Sequence, residues 1–441
     1  MFNVFECGLI GMGPAGLGLA ISLRDTKIIK SMVCFDKGSN VDGAECFALS
    51  GKECCGSSAC SIISGIGGAS TLSGGKISNY PAGSGLASFF DSENQLRELF
   101  EKEIAFLSDK IQLKEIQIGS KIRKKTMQFY KQKKIDYKYY DVYEFNGQCY
   151  RNFIKKTVQE LKNEGMKLFD NSTVLSIKQD QKTLCFCINV KTLDGEKQFF
   201  VRKLVLATGA LDIRDILLEK IIGAVPSGFE IGVRIEVPSS SFGNVLSTHG
   251  DLKLKYGAGR TYCVTANGRI ISYYTDGMQF LEGCAESFLS DDYTNLAVLI
   301  KQSDKNAIND FFERYRSIYK GNPIKQKFVD YSRGRASDDE IHTTLASAIC
   351  GDINNLFSLD INTQINRFIR DVLIDAMGLA EDEITLVAPE LKIIRDFQIS
   401  KNFEISRNLF AIGSMTGRFR GILQSYCSGI RCGQFFRKEV E

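Results

Sequence analysis

Only two histidines, His249 and His342, occur among the 441 residues, so imidazole is scarce. If the chain is an enzyme, its acid–base work falls to Tyr, Lys, Cys or a carboxylate. No uninterrupted apolar run is long enough to span a bilayer, and no membrane partner is expected. The opening residues lack the basic n-region of a secretory leader, and the apolar run after them is broken by Gly and Pro. No tandem repeat or low-complexity linker is present. The net charge of +4 is too small to demand an anionic polymer as partner. Without an export signal, the 14 cysteines read as reduced thiols, mostly small buried hydrophobes, and a cytoplasmic location is expected.

What is present begins at the amino terminus. The apolar strand Val4 to Ile10 runs into Gly11-Met12-Gly13-Pro14-Ala15-Gly16 and then a helical stretch, Leu17 to Leu23. This is a dinucleotide-binding turn. Gly11 permits the tight turn, Gly13 lets backbone approach a pyrophosphate, and Gly16 lets helix and strand pack closely. The helix amino terminus supplies free N–H groups and positive dipole. A second strand, Ser31 to Phe35, ends in Asp36, with Lys37 beside it. A carboxylate there accepts hydrogen bonds from both hydroxyls of an adenosine ribose and repels a 2'-phosphate, which favours FAD or NAD over NADP.

The rest of the chain reads as further pieces of the same domain around an insertion. Residues 42 to 86 are rich in Gly, Ser, Ala and Cys, as suits a loop against a flat ligand. Helical periodicity marks 91 to 107 and 151 to 164, and a strand is expected over 167 to 177. An antiparallel hairpin follows through Leu193-Asp194-Gly195-Glu196, then the buried strand Lys203 to Leu206 closing on Ala207-Thr208-Gly209. A last strand enters a glycine turn at Gly413, and an apolar helical face begins after Gly421 and Ile422. The expected fold is α/β: a Rossmann-like domain for FAD or NAD assembled from separated segments, with an inserted mixed α+β substrate domain. Its parts are 1–110, 150–225 and 386–441, with a basic aromatic insertion at 111–149 and the substrate domain at 226–385.

Two further clusters have competing readings. Cys46, Cys54, Cys55 and Cys60 do not match paired C-x-x-C spacing, so no metal site is expected. Residues 121 to 140 interleave eight Lys or Arg with Phe and Tyr. They could contact RNA through phosphates and stacking, but a solvated amphipathic element is the favoured reading, so nucleic acid is not the favoured partner.

Taken together, the Gly11–Gly16 turn, Asp36, the loop from Cys60 to Ile77, Ala207-Thr208-Gly209 and the carboxyl-terminal block resemble the largely uncharacterised bacterial and archaeal FAD-dependent dehydrogenases. Segments at 232–236, 252–256, 260–263 and 388–392 fit as well, in the family's order over nearly the whole chain. The resemblance implies a glutathione-reductase-like FAD domain carrying a substrate domain. Gly413 and Ser414 stand where the family usually has Gly-Asp near the ribityl chain, so a hydroxyl replaces a carboxylate. The helix after Gly421 would aim its amino terminus at the flavin pyrimidine edge. Gly67, Gly68, Ser73 and Lys76 would lie against the isoalloxazine, with Lys76 near N1, C2=O or N5.

On that footing, the expected activity is hydride transfer between an organic small molecule and flavin N5. Lys76, Arg260, Tyr262, Cys263 and Arg420 are the catalytic candidates, with Tyr262 a proton donor and Arg418, Arg420 and Gln424 able to hold an anion or a flavin carbonyl. Glu390 and Lys392 read as a surface pair. There is no second G-x-G-x-x-G, so a nicotinamide would visit the same flavin face as a transient NAD(P)H donor, or another electron-transfer partner would serve. Two other readings stay open: a flavin- or nucleotide-binding interaction module, and an RNA-modifying flavoprotein.

Overall fold

A computed structural model of the chain describes residues 4–50, 52–210, 226–246, 251–285, 291–337, 340–395 and 397–439. The expected turn is built as read. Strand β1 (Val4–Ile10) passes through Gly11 to helix α1 (Pro14–Ser22), and β2 (Met32–Phe35) lies parallel to β1. The glycine-rich stretch after β2 holds, among its described residues, only single helical turns at Val41–Gly43, Phe47–Ser50 and Ser70–Ser73 before β3 (Gly75–Ser78), which is followed by the long helix α2 (Glu93–Ile111). The basic segment forms helix α3 (Ser120–Gln132). Strand β4 (Val142–Phe145) pairs with β3 and leads into helix α4 (Gly147–Asn163), which starts a turn earlier than periodicity placed it because Asn146 caps it.

The expected strand over 167–177 is two strands, β5 (Lys167–Phe169) and β6 (Thr173–Gln179). Hairpin strand β7 (Phe186–Thr192) is followed by β8 (Gly195–Leu206), whose first half pairs antiparallel with β7 and whose second half lies parallel to β1. One continuous strand therefore does the work of two expected ones. These elements form an eight-stranded sheet whose parallel centre is completed by a strand near the carboxyl terminus.

A second eight-stranded sheet makes up the inserted region. Its strands include β9 (Pro226–Pro238) and β10 (Gly259–Thr265); β11 (Arg269–Thr275) and β12 (Met278–Cys284) form a separate two-stranded hairpin that covers it, and the chain returns to it in β13 (Tyr293–Gln302). Its order places β14 (Thr385–Arg395), β9, β13 and β10 side by side and antiparallel. The second sheet thus extends to Arg395, ten residues beyond the expected 385 boundary, and Asp136–Tyr137 from the basic insertion adds a strand at its far edge. The parallel sheet is completed by β15 (Leu409–Ala411), and helix α5 (Ile422–Lys438) closes the chain. The fold is an α/β Rossmann-like unit assembled from separated segments, carrying a mixed α+β insertion.

Alternation on β9 decides how the second sheet is used. Phe229, Ile231, Val233, Ile235 and Val237 enter one hydrophobic core. Each such side chain contributes about 1.5–3 kcal/mol on burial. Period 2 then turns Glu230, Arg234 and Glu236 to the opposite face. In the parallel unit, α1 and α5 run side by side at backbone contact. A Cβ on Gly429 would lie 2.0 Å from the Ala15 carbonyl oxygen, so only glycine allows this approach.

Candidate functional site

At the β1–α1 turn, Gly11 has φ +96°, and a Cβ there would fall 2.3 Å from the Ala207 carbonyl oxygen. Gly11 is thus required by the fold itself. Gly13 is the N-cap of α1, which has no side-chain cap and no acidic residue in its first turn. A Cβ on Gly13 would meet only the Gly68 Cα, at 3.7 Å. Gly67 donates its N–H to the Met12 carbonyl at 3.0 Å, which lays the 65–68 loop beside this helix terminus. Gly413, at φ +74°, packs on Ala15. Helix α5 likewise begins at Gly421 with no side-chain cap and no acidic first turn. Pro14 and Ile422, the first residues of the two helices, line one small apolar cleft with Ile77, Tyr150 and Tyr426.

The structure thus brings together Gly11, Gly13, Pro14, Ala15, Gly16, Gly67, Gly68, Ala207 and Gly413. Thr208 and Gly209 follow Ala207 in the same turn, where Thr208 Oγ1 reaches Met415 Sδ at 3.7 Å. Ser414 is half-buried, and its carbonyl accepts from Gly417 N at 3.0 Å. Lys37 is half-buried beside Asp36. Ser73 donates its hydroxyl to the Ala69 carbonyl at 2.9 Å, and its own carbonyl accepts from Ala285 N at 2.9 Å, just after β12.

Asp36 has a use that its sequence position did not reveal. One carboxylate oxygen accepts from Met12 N at 2.8 Å, and the other from Gly38 N and Gly65 N at 3.0 Å each. A carboxylate offers about four acceptor positions, so three backbone donors leave room for about one more, not two ribose hydroxyls. Burial raises the Asp36 carboxyl above its usual range, and the three N–H groups oppose that rise.

The catalytic candidates converge on the polar face of the second sheet. Glu230 accepts from Arg260 Nε at 2.7 Å and Nη2 at 2.6 Å, and from Arg420 Nη1 at 2.8 Å. Burial alone would raise its carboxyl, but the two guanidiniums outweigh it and bring the pKa down to about 2. Arg420 also donates to the Ile393 carbonyl at 2.8 Å. Tyr262 is half-buried, with the Arg260 guanidinium 5.0 Å and the Lys392 ammonium 4.8 Å from its ring centre. Burial pushes its hydroxyl up to about 12 against the pull of Lys392, so it keeps its proton at neutral pH.

Cys263 sits at φ +45° inside a register shift of β10 against β13 between Tyr262 and Thr265. Bulges of this kind re-aim side chains, and a non-glycine residue in this region is held there by its surroundings. Two cations hold this one: Arg234 Nη1 donates to the Cys263 carbonyl at 3.3 Å, and Lys76 Nζ donates to the Val264 carbonyl. Burial raises the Cys263 thiol although Arg234 opposes it. Lys76 also lies 3.8 Å from Asp251, which accepts from the Tyr140 hydroxyl at 2.6 Å.

Sequence reading missed the centre of this face and misplaced two of its members. Glu390 and Lys392 are not a surface pair; both are buried, because their face of β14 is covered by β12, whose Glu282 pairs with Lys392. Arg234, fully buried, makes a bidentate pair with Glu390 at 3.0 and 3.3 Å and reaches Asn295 at 2.6 Å. Burial would raise Glu390, but Arg234 and Lys392 hold it below its usual range. Burial would lower Lys392, but Glu282 and Glu390 push it well above. The alternation Glu230, Arg234, Glu236 in an otherwise apolar strand was the available signal. Gln424 is committed to the fold, donating to the Ser78 carbonyl at 2.7 Å. Arg418 likewise donates to the Phe397 carbonyl at 3.3 Å. His342 stacks on Tyr293 with ring centres 4.5 Å apart, and His249 lies outside the described residues.

No protein-family model and no curated protein matches the sequence. Among solved structures, the chain is similar to glycine oxidase from Bacillus cereus ATCC 14579, at 12% identity over 99% of this chain and 96% of that one, TM-score 0.38. It is similar to a flavoprotein/dehydrogenase from Cytophaga hutchinsonii, at 8% identity over 99% and 79%, TM-score 0.39. A complex of aklavinone-11 hydroxylase with FAD and aklavinone matches at 10% identity over 100% of this chain, TM-score 0.38, and the chain spans 62% of that protein's length. At these TM-scores the likeness carries no argument about activity.

Proposed function

We propose that this chain is a FAD-dependent oxidoreductase whose substrate meets the cofactor at the polar face of the second sheet. The observation that carries the proposal is Arg420. It stands one residue before the N-cap of α5 and is held by Glu230 of β9 at 2.8 Å, so an uncapped helix terminus is fixed against the charged face. The site fits the dinucleotide on its own residues: two uncapped helix termini, a Gly13 open to close approach, and a loop of Gly67 and Gly68 beside it. Gly11, Gly13, Gly16, Gly67, Gly68 and Gly413 would hold the diphosphate and ribityl regions. Asp36 would reach a ribose hydroxyl with its remaining acceptor position.

When bound, FAD would supply a hydride acceptor or donor at N5. This chain's residues do the rest. Tyr262, protonated at neutral pH, would donate a hydrogen bond or a proton to a substrate oxygen. Lys76 and Arg420 would place positive charge where negative charge develops. Cys263, a neutral thiol, would be a contact rather than a nucleophile. NAD(P)H as a transient electron donor belongs to the same proposal.

The test is to purify the protein without added cofactor, record its visible spectrum and identify any released nucleotide by mass spectrometry. A flavin spectrum, released FAD and bleaching by NAD(P)H or dithionite are expected. Absence of flavin together with failure to take up added FAD would overturn the proposal in favour of an interaction module.

A further inference from the structure

Between residues 120 and 134 the chain carries seven basic and no acidic residues, while the whole chain has a net charge of only +4. The remainder is therefore net negative, and the positive charge is concentrated on helix α3 and the turn after it. One side of the helix is anchored. Tyr130 is buried with its ring 5.5 Å from Tyr137, and Arg123 stacks 3.9 Å over Tyr139 and pairs with Asp141 at 3.0 Å. At 100° per residue, Lys121, Lys124 and Lys125 point away from that anchored side, and Lys131 stands about at right angles to it. Among the described residues, none of these four is in an ion pair. Ile122 and Phe129, two turns apart, share one flank at 43% and 41% exposure, and Met127 on the other flank is 51% exposed.

We propose that α3 docks this protein onto an anionic lipid surface, lying in the plane of the headgroups rather than crossing the bilayer. The outward lysines would meet lipid phosphates, each adding about 1 kcal/mol of attraction, while Ile122 and Phe129 on one flank and Met127 on the other reach the headgroup boundary. The same charge would attract RNA phosphates, but apart from Phe129 the aromatic rings that stacking needs are committed. Tyr130 and Tyr140 are buried, and Tyr139 is covered by Arg123. The exposed apolar groups that remain are mainly aliphatic. Docking here would also bring the surface close to the reaction face, because the chain runs from α3 directly to Tyr140 and its partner Asp251.

The experiment is co-sedimentation of the full chain with vesicles of pure phosphatidylcholine or of phosphatidylcholine mixed with phosphatidylserine, at low and high salt. Binding only to the anionic vesicles, weakened by salt, is expected. The triple variant Lys121→Glu, Lys124→Glu, Lys125→Glu should lower the partition coefficient at least about 100-fold. Phe129→Ser should lower it further without changing its salt slope. All four side chains are exposed, and circular dichroism checks that the variants fold. Equal binding to both vesicle types, or binding indifferent to the triple variant, would overturn the proposal. So would salt-sensitive binding to single-stranded RNA without vesicle binding, which would make the helix a nucleic-acid contact.

Discussion

Arg420 Nη1 lies 2.8 Å from Glu230 Oε2 and joins the turn before the last helix to the inserted sheet. The Glu230 pKa of about 2 makes this joint pH-dependent. A carboxyl whose folded pKa is depressed stabilises the fold above its unfolded pKa, and that stability is lost as pH falls towards the folded value. The depression corresponds to about 3 kcal/mol. Glu230→Gln should therefore be less stable than the parent by up to that amount at pH 7, and urea unfolding curves of the two should draw together from about pH 4 and converge only as pH falls to about 2. A gap that stays constant from pH 7 to pH 3 would show that Glu230 is not held ionised by its arginines.

Arg234 and Glu390 are both fully buried, so breaking the pair leaves a charge without its partner. Arg234→Met should cost about 3–5 kcal/mol in urea unfolding. Replacing both, Arg234→Met with Glu390→Met, should recover at least half of that loss, because the desolvation cost disappears with the charges. A single substitution costing under about 1 kcal/mol would mean that water or a shifted Lys392 compensates Glu390.

The Rossmann-like unit was legible because its signals are local. A strand, three spaced glycines and a helix lie within twenty residues, and the structure builds them as read. The polar face was not legible because it is assembled across strands. Glu230 meets Arg260 and Arg420 over separations of 30 and 190 residues, which no spacing rule reaches. Glu390 and Lys392 alternate with the core residue Leu391, as a surface pair would, and only the covering strand β12, whose Glu282 lies 110 residues before Lys392 in sequence, buries them. Asp36 shows a different limit: three backbone N–H groups occupy three of its about four acceptor positions, a structural use that its place after β2 does not disclose.

Cys263 tests the electrostatics of the same face. Burial raises its thiol, with Arg234 opposing, so little thiolate should form near neutral pH. Iodoacetamide labelling followed by mass spectrometry at pH 7.5 should modify the exposed Cys55 well before Cys263, and the Cys263 rate should climb only above pH 9. Equal rates at pH 7.5 would mean that the cations around Cys263 outweigh its burial and that it is available as a nucleophile.

Gly11 and Gly13 separate folding from cofactor binding. At Gly11 the left-handed φ of +96° and a Cβ only 2.3 Å from the Ala207 carbonyl oxygen make alanine incompatible with the β1–α1 turn. Gly11→Ala should lose about 2 kcal/mol or more of stability, with or without FAD. Gly13 has φ −72°, and its one near neighbour would be an ordinary contact at 3.7 Å. Gly13→Ala should therefore keep its unfolding midpoint within about 1 kcal/mol of the parent. The added methyl would stand where backbone must approach a diphosphate, so FAD affinity in a fluorescence titration of the apoprotein should fall at least about tenfold. If Gly13→Ala binds FAD as tightly as the parent, the diphosphate does not sit at this helix terminus, and the glycines of the turn serve the fold alone.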